Sequence, residues 1–151
     1  MQYAWRQRAL LARDDWTLPF AVRDEGRIVG IQTIEAKQFA VRRTVETGSW
    51  LGRREQGRGI GTEMRAAVLH LAFAGLGALE ARTSAWFDNA ASRRVSLRIG
   101  YEPDGEQLIG RRGVPTLHQN FRLTREAWEK RRRDDIALHG LAPCLALLGS
   151  A

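Results

Sequence analysis

The sequence predicts a mixed α/β (α+β) domain: an antiparallel meander, then alternating helices and strands. Three observations predict it. Runs rich in β-branched and aromatic residues at 16–22, 28–36 and 44–51 are separated by turn signals. A glycine-dense turn, Gln56-Gly57-Arg58-Gly59-Ile60-Gly61-Thr62, opens a segment whose apolar residues fall at helical spacing. Beyond that helix a strand, a second helix and a hairpin follow in order.

Taken in order, Tyr3 to Arg13 reads as the end of a helix, stopped by Asp14-Asp15. Trp16 to Val22 alternates and reads as a strand. Asp24-Glu25-Gly26-Arg27 is a hairpin signal, and Ile28 to Ala36 is the partner strand, with Gly30 marking a bulge. Thr44 to Leu51 is the third strand. In the helix after the glycine turn, Ile60, Met64, Ala67, Val68, Leu71 and Ala72 share a face that Leu69 and Phe73 widen, and Gly75 and Gly77 stop it. Ala78 to Trp86 is a strand. Asp88 or Asn89 caps a second helix that closes at Gly100. Tyr101 to Gly110 and Val114 to Leu123 form a hairpin, and Thr124-Arg125-Glu126 starts a short helix. Residues 1–136 read as one domain. The tail, 137–151, is apolar and loosely patterned, with no place of its own.

The bulk properties bound the function. The length, 151 residues, is enough for one substantial core. No apolar run approaches the ~20 residues that cross a bilayer, and the N-terminus lacks a signal-peptide core, so a cytoplasmic location is the default. Cys144 is the single cysteine, which excludes an internal disulfide and a cysteine-built metal site. The formal charge is +7, and Lys37 and Lys130 are the only lysines, so the excess is arginine. Such a surface attracts anions such as coenzyme A, nucleic acid or acidic proteins. The arginine run Arg131-Arg132-Arg133 reads as a solvated helix end rather than a nucleic-acid site.

The glycine turn carries the chemistry. A helix start presents N–H groups with no intrahelical partner and a positive dipole, and glycines let a ligand approach the backbone. The turn is therefore suited to a diphosphate. A P-loop fails, because Arg58 and Gly59 stand where Lys and Ser/Thr belong. A dinucleotide fingerprint fits in part: Gly57 and Gly59 match, Thr62 replaces the third glycine, and Glu80 is the distant acid. The pattern Gln/Arg-x-x-Gly-x-Gly/Ala fits fully on Gln56, Gly59 and Gly61. Arg53, Arg54 and Arg58 flank the turn, where guanidinium groups can reach phosphate oxygens.

This pattern resembles the acyl-coenzyme-A loop of the GNAT N-acetyltransferases. Gly48-Ser49-Trp50-Leu51-Gly52, Gly61-Thr62-Glu63-Met64, Asn89-Ala90-Ala91-Ser92 and Gly100-Tyr101 extend the resemblance over about residues 3–129. The resemblance lies closest to the branch that includes the ribosomal-protein N-terminal acetyltransferases, with wording similar to a mycobacterial member described as a succinyltransferase. The resemblance implies a GNAT-like fold, a mixed, mostly antiparallel sheet flanked by helices. It implies acetyl-CoA or another acyl-CoA as co-substrate, no metal, and direct attack by a primary amine in a ternary complex. The amine would belong to a protein N-terminus, a lysine or a small molecule, and a homo-oligomer stays open.

The site residues follow from that likeness. A backbone N–H near Trp50 and Leu51 would receive the thioester oxygen. The amides of Arg58, Gly59, Ile60, Gly61 and Thr62, with Gln56 and Gly57 in the same loop, would hold the diphosphate, and the Thr62 hydroxyl would add a donor. Asn89 would bind the pantetheine arm or cap its helix. Ser92 would protonate the leaving thiolate. Glu46 would be the base, through a water. An α-amino group, with pKa near ~8, needs little such help, a lysine near ~10.4 more. For a succinyl donor, Arg42, Arg43 or Arg112 would supply the cation. Members of the family begin with a strand and helix that this chain lacks, so it reads as N-terminally truncated, with Phe20 to Val22 at an exposed edge. The rival reading is a non-catalytic module that binds coenzyme A or associates with the ribosome or nucleic acid. His70, His118 and His139 are dispersed and form no triad, and His70 reads as a surface or boundary residue rather than a catalyst. Cys144 reads as packed.

Overall fold

Two-residue turns fix both hairpins. Glu25-Gly26 and Arg112-Gly113 take positive φ at both positions (48° and 81°, 54° and 80°), the twist that suits tight hairpins. The computed structural model describes residues 11–13 and 15–150. The helix expected at 3–13 lies outside the described residues except for Leu11–Arg13, which are not helical.

The first hairpin joins β1 (Trp16–Asp24) to β2 (Arg27–Ala36). Val22 pairs with Gly30 and Arg23 with Ile28, so Val29 is the extra residue of a bulge next to Gly30. A short helix, α1 (Phe39–Arg42), leads to β3 (Thr44–Leu51). The glycine turn opens α2 (Ile60–His70), which runs on through one wide turn at Leu71–Gly75. Then come β4 (Glu80–Trp86), α3 (Ala90–Ile99), β5 (Glu102–Arg111), β6 (Val114–Thr124) and α4 (Arg125–Glu129). Thr124 caps α4 by accepting the Ala127 N–H at 3.2 Å.

The six strands form one sheet in the order β1-β2-β3-β4-β6-β5. All neighbours are antiparallel except β3 and β4. The core lies between one face of this sheet and α2: Ile34, Val45, Ala81, Phe121 and Leu123 meet Val68, Leu69, Ala72 and Phe73. Burying these side chains stabilises the domain by ~25 cal/mol for each Å² of apolar surface removed from water. β1 is an outer strand, as expected, and Phe20 on it is exposed.

Three expectations are corrected or completed. Residues 37–43 carry no sequence signal for an element, yet α1 forms there between Gln38 (φ 52°) and Arg43 (φ 47°), neither of them a glycine. Its Phe39 is fully buried against Trp16, with ring centroids 5.4 Å apart. His70 is buried rather than at a boundary, edge-on to Trp128 at 5.9 Å, because α2 is covered on that side by α4. The apolar tail does find a place. Leu148 is buried, its carbonyl accepts Trp16 Nε1–H at 3.1 Å, and the Ser150 hydroxyl bonds the Leu76 carbonyl at 3.0 Å. Cys144 packs partly buried against the same core. No helix among the described residues is long and apolar enough to cross a membrane.

Candidate active site

The site begins where two strands part. β3 and β4 pair only at Thr44–Glu80, Val45–Ala81 and Glu46–Arg82. Beyond that β3 stays paired with β2 as far as Leu51, and β4 with β6 as far as Trp86, so the two diverge. Side chains bridge the first gap. The Thr83 hydroxyl donates to the Thr47 carbonyl at 2.8 Å, and the Thr47 hydroxyl lies 3.2 Å from that of Tyr101.

The glycine turn stands at the end of β3. Gln56 Nε2 donates to the Leu51 carbonyl at 3.2 Å and ties the turn to the strand. Gly57 and Gly59 take φ of 78° and 85°, and an added Cβ at either would meet nothing within 4 Å. No side chain caps α2 at Gly59. Among the described residues, the N–H groups of Gly57, Arg58, Gly59, Ile60 and Gly61 have no hydrogen-bond partner. Five donors beside a helix start, with open space over the glycines, fit an anion such as a diphosphate.

Two placements differ from expectation. The Thr62 amide donates to the Gly59 carbonyl at 2.9 Å, so the row of free amides ends at Gly61. Arg58 pairs instead with Glu55 and, at 2.9 Å, with Asp24, which together lift its pKa further and pin the loop to the first hairpin. Glu80, the acid of the dinucleotide reading, is held by Arg82 and Arg122.

A cleft of about 370 Å³ runs from the turn to the splay. Leu51, Gln56, Gly57, Gly59, Gly61, Thr62, Asn89 and Ser92 of the expected set line it. Trp50 lies beside them on β3 but points to the other face and is exposed. Asn89 Oδ1 accepts the Ser92 N–H at 3.2 Å, so Asn89 is the cap of α3 and also faces the cleft.

Glu46 is not in this cleft. It lines a second one, of about 550 Å³, with Asp15, Glu35, Lys37, Arg42 and Arg82. It sits on the last paired rung of β3 and β4, where the strands begin to part. The second cleft lies at the paired end of β3 and β4, and the first lies beyond it, at Ser49 and Leu51. Of the other expected cations, Arg43 lies over the Phe39 ring and Arg112 is at a hairpin tip.

Sequence reasoning missed three groups. Arg94 and Arg98 add positive charge to the first cleft. Arg65 lies buried beneath the splay. His118, on the same face as Glu46, lies tilted against Trp86, ring centroids 4.6 Å apart, with its Nδ1 buried and unpartnered. Burial lowers its pKa, against the raising pull of Glu46. Period-two alternation along β6 could have placed His118 on that face.

The acetyltransferase (GNAT) domain family matches residues 1–102, about two thirds of the chain. The chain belongs to the GNAT acetyltransferase family. It is thereby an acyl-CoA-dependent N-acetyltransferase. Solved structures agree on the fold. A probable acetyltransferase superposes with a TM-score of 0.71 at 24% identity, over 82% of this chain and 69% of its own. Mycobacterium smegmatis RimJ, in complex with CoA-disulfide, gives 0.69 at 25%, over 73% of this chain. The match spans 54% of the RimJ chain. A mutant form of the spermidine/spermine N-acetyltransferase SpeG from Vibrio cholerae gives 0.70 at 14%, over 78% of this chain and 69% of its own.

Proposed function

We propose that this GNAT domain moves an acyl group from acyl-CoA to a primary amine by direct attack, with both substrates bound at once. The observation that carries this is the row of free amides at the glycine turn, which opens on a cleft along the parted end of β3. The diphosphate rests on the N–H groups of Gly57 to Gly61, with Arg94 and Arg98 at the rim. The pantetheine arm follows Leu51 toward the splay, with Asn89 beside it. The thioester carbon then faces the opening between β3 and β4.

The amine enters from the other face. Asp15, Glu35 and Glu46 offer carboxylates to an ammonium group there, set among Lys37, Arg42 and Arg82. Glu46 takes its proton through a water, and the neutral amine attacks the thioester carbon. A backbone N–H at Trp50 or Leu51 stabilises the oxyanion. The C–S bond breaks, and the proton that the attacking nitrogen sheds as the amide forms passes through the Ser92 hydroxyl to the departing thiolate. The thioester is already activated, so most of the acceleration comes from positioning.

The test is thiol release from acetyl-CoA by the purified chain with a panel of peptides, polyamines and small amines. Acceptor-dependent release supports the reading. Tight acetyl-CoA binding with no release from any acceptor favours a non-catalytic coenzyme-A-binding module.

A further inference from the structure

His118 stands level with the reacting end of the parted strands. Glu46 pairs with Arg82 on the last rung that β3 and β4 share. Four residues further on, β3 reaches Trp50 and β4 reaches Trp86, and the β6 partner of Trp86 is His118. Trp50 and Leu51 carry the backbone N–H groups given above to the oxyanion. A strand rises ~3.3 Å per residue, so Glu46 lies roughly 13 Å short of that level. A proton leaving the amine meets the level of His118 first.

His118 is also on the right face. Side chains alternate along a strand, and Val45, Ala81 and Phe121 point into the core under α2. Glu46 and Trp50 on β3, Arg82 and Trp86 on β4, and His118 and Arg122 on β6 therefore project from the opposite side. That is the side from which the amine enters.

The imidazole is held but not used. It lies tilted against Trp86, ring centroids 4.6 Å apart. The Arg111 guanidinium lies over the same indole at 4.8 Å and is itself bonded to Asp88 at 2.9 Å, which fixes the indole. Nδ1 is buried without a partner. Nε2 has no hydrogen-bond partner among the described residues either, but it is not sealed from solvent. With its hydrogen on Nδ1, the ring turns a free lone pair to the open side. Burial lowers its pKa, so the ring is neutral at pH 7 and able to accept a proton. Glu46 pulls the other way and favours the imidazolium once it forms. The cations on this side of β4, β5 and β6 are already matched: Arg82 and Arg122 share Glu80, and Arg111 holds Asp88.

We propose that His118 is the first acceptor of the proton that leaves the amine, at Nε2, and that Glu46 steadies the imidazolium. The inference rests on the acyl-transfer reading above and deepens it. An N–H bond of the ammonium group breaks, and an Nε2–H bond forms. The neutral amine then attacks the thioester carbon. Nε2 returns the proton to water, and Glu46 receives it at the far end of that water path.

The experiment follows thiol release from acetyl-CoA with the same panel of amines, from about pH 5 to 9. His118→Gln is expected to lower kcat by ~10²-fold at pH 7, with KM for acetyl-CoA within about twofold. The deficit shrinks as the pH nears the amine's own pKa, ~8 for an α-amino group and ~10.4 for a lysine, because solvent then supplies the neutral amine. Glu46→Gln keeps the imidazole but removes a charge that raises its pKa. Its kcat therefore keeps an acid limb, moved to lower pH. A merely structural role for His118 would cost the same factor at every pH. Full kcat in His118→Gln, a deficit that does not change with pH, or a Glu46→Gln limb that is lost or unmoved overturns the proposal and leaves acyl transfer standing. Should His118→Gln not fold, the Glu46→Gln profile decides alone. A wild-type chain that releases no thiol with any amine loses the acyl-transfer reading, and this proposal with it.

Discussion

The Thr83 hydroxyl donates to the Thr47 carbonyl at 2.8 Å, at the first position where β3 and β4 no longer pair. One side chain thus replaces the ladder bond that the splay removes. It also receives Arg65 Nη1 at 3.4 Å. Thr83→Val keeps the shape and strips both bonds, leaving a buried carbonyl and a guanidinium N–H without partners. The expected cost is ~1–3 kcal/mol, the usual penalty for stranding a buried polar group. At roughly 2–4 °C per kcal/mol for a chain of this size, a melting curve resolves it. An unchanged melting point would mean that the strands part without help from Thr83.

Gly59 tests the amide row. Its φ of 85° suits glycine, and an added Cβ would meet nothing within 4 Å. Crowding within the protein therefore cannot account for a loss in Gly59→Val. Two effects remain: ~1–2 kcal/mol of backbone strain, and a side chain standing over the free N–H groups. The expected outcome is a folded protein whose acetyl-CoA affinity, by calorimetry, falls more than about tenfold. Affinity equal to wild type would move the diphosphate away from this turn.

Ser92 tests the leaving-group role. Its backbone N–H is taken by Asn89 Oδ1, and its carbonyl by Ser96. The cap and the helix therefore survive Ser92→Ala, and only the hydroxyl in the cleft is lost. Turnover should drop by ~10²-fold, the low end for general acid catalysis, with acetyl-CoA affinity within about twofold. A variant with full kcat would remove Ser92 from the mechanism.

Much of the fold was legible because its signals are local. Glu25-Gly26 and Arg112-Gly113 announce their turns, the apolar arc from Ile60 to Phe73 announces α2, and Asn89 and Gly100 bracket α3. The amide row was legible for the same reason, since glycine spacing states what the backbone can do. The splay was not, because only the non-local pairing of β3 with β4 reveals where a ladder stops. α1 was missed because its four residues are too few for a period, and its flanks use Gln38 and Arg43 at positive φ where a glycine would have been read. Arg65 was overlooked although it shares the arc of Met64, Val68 and Leu69. An arginine on that stripe reads as a surface charge until packing shows what covers it.

Glu80 links acid sensitivity to the β4–β6 pair. Its carboxylate, 16% exposed, accepts from Arg82 Nε at 2.6 Å and from Arg122 Nε across the strands. Burial pushes its pKa up, but the hydrogen bonds and charges of Arg122 and Arg82 outweigh that and leave it below the usual value. A carboxylate whose folded pKa is depressed stabilises the fold above its unfolded pKa of ~4.3, and that contribution vanishes as pH falls through the folded value. Glu80→Gln should therefore be less stable than wild type at pH 7 by ~1 kcal/mol or less, since both arginines are about half exposed and screened. The gap should close as the pH is lowered from about 5 to 3, and should narrow at pH 7 in ~1 M salt. Comparing the two proteins at each pH cancels the other carboxylates, Asp135 among them, whose pKa Arg133 also depresses. A gap that persists unchanged to pH 3 would assign the loss to the shape of the side chain rather than to its charge.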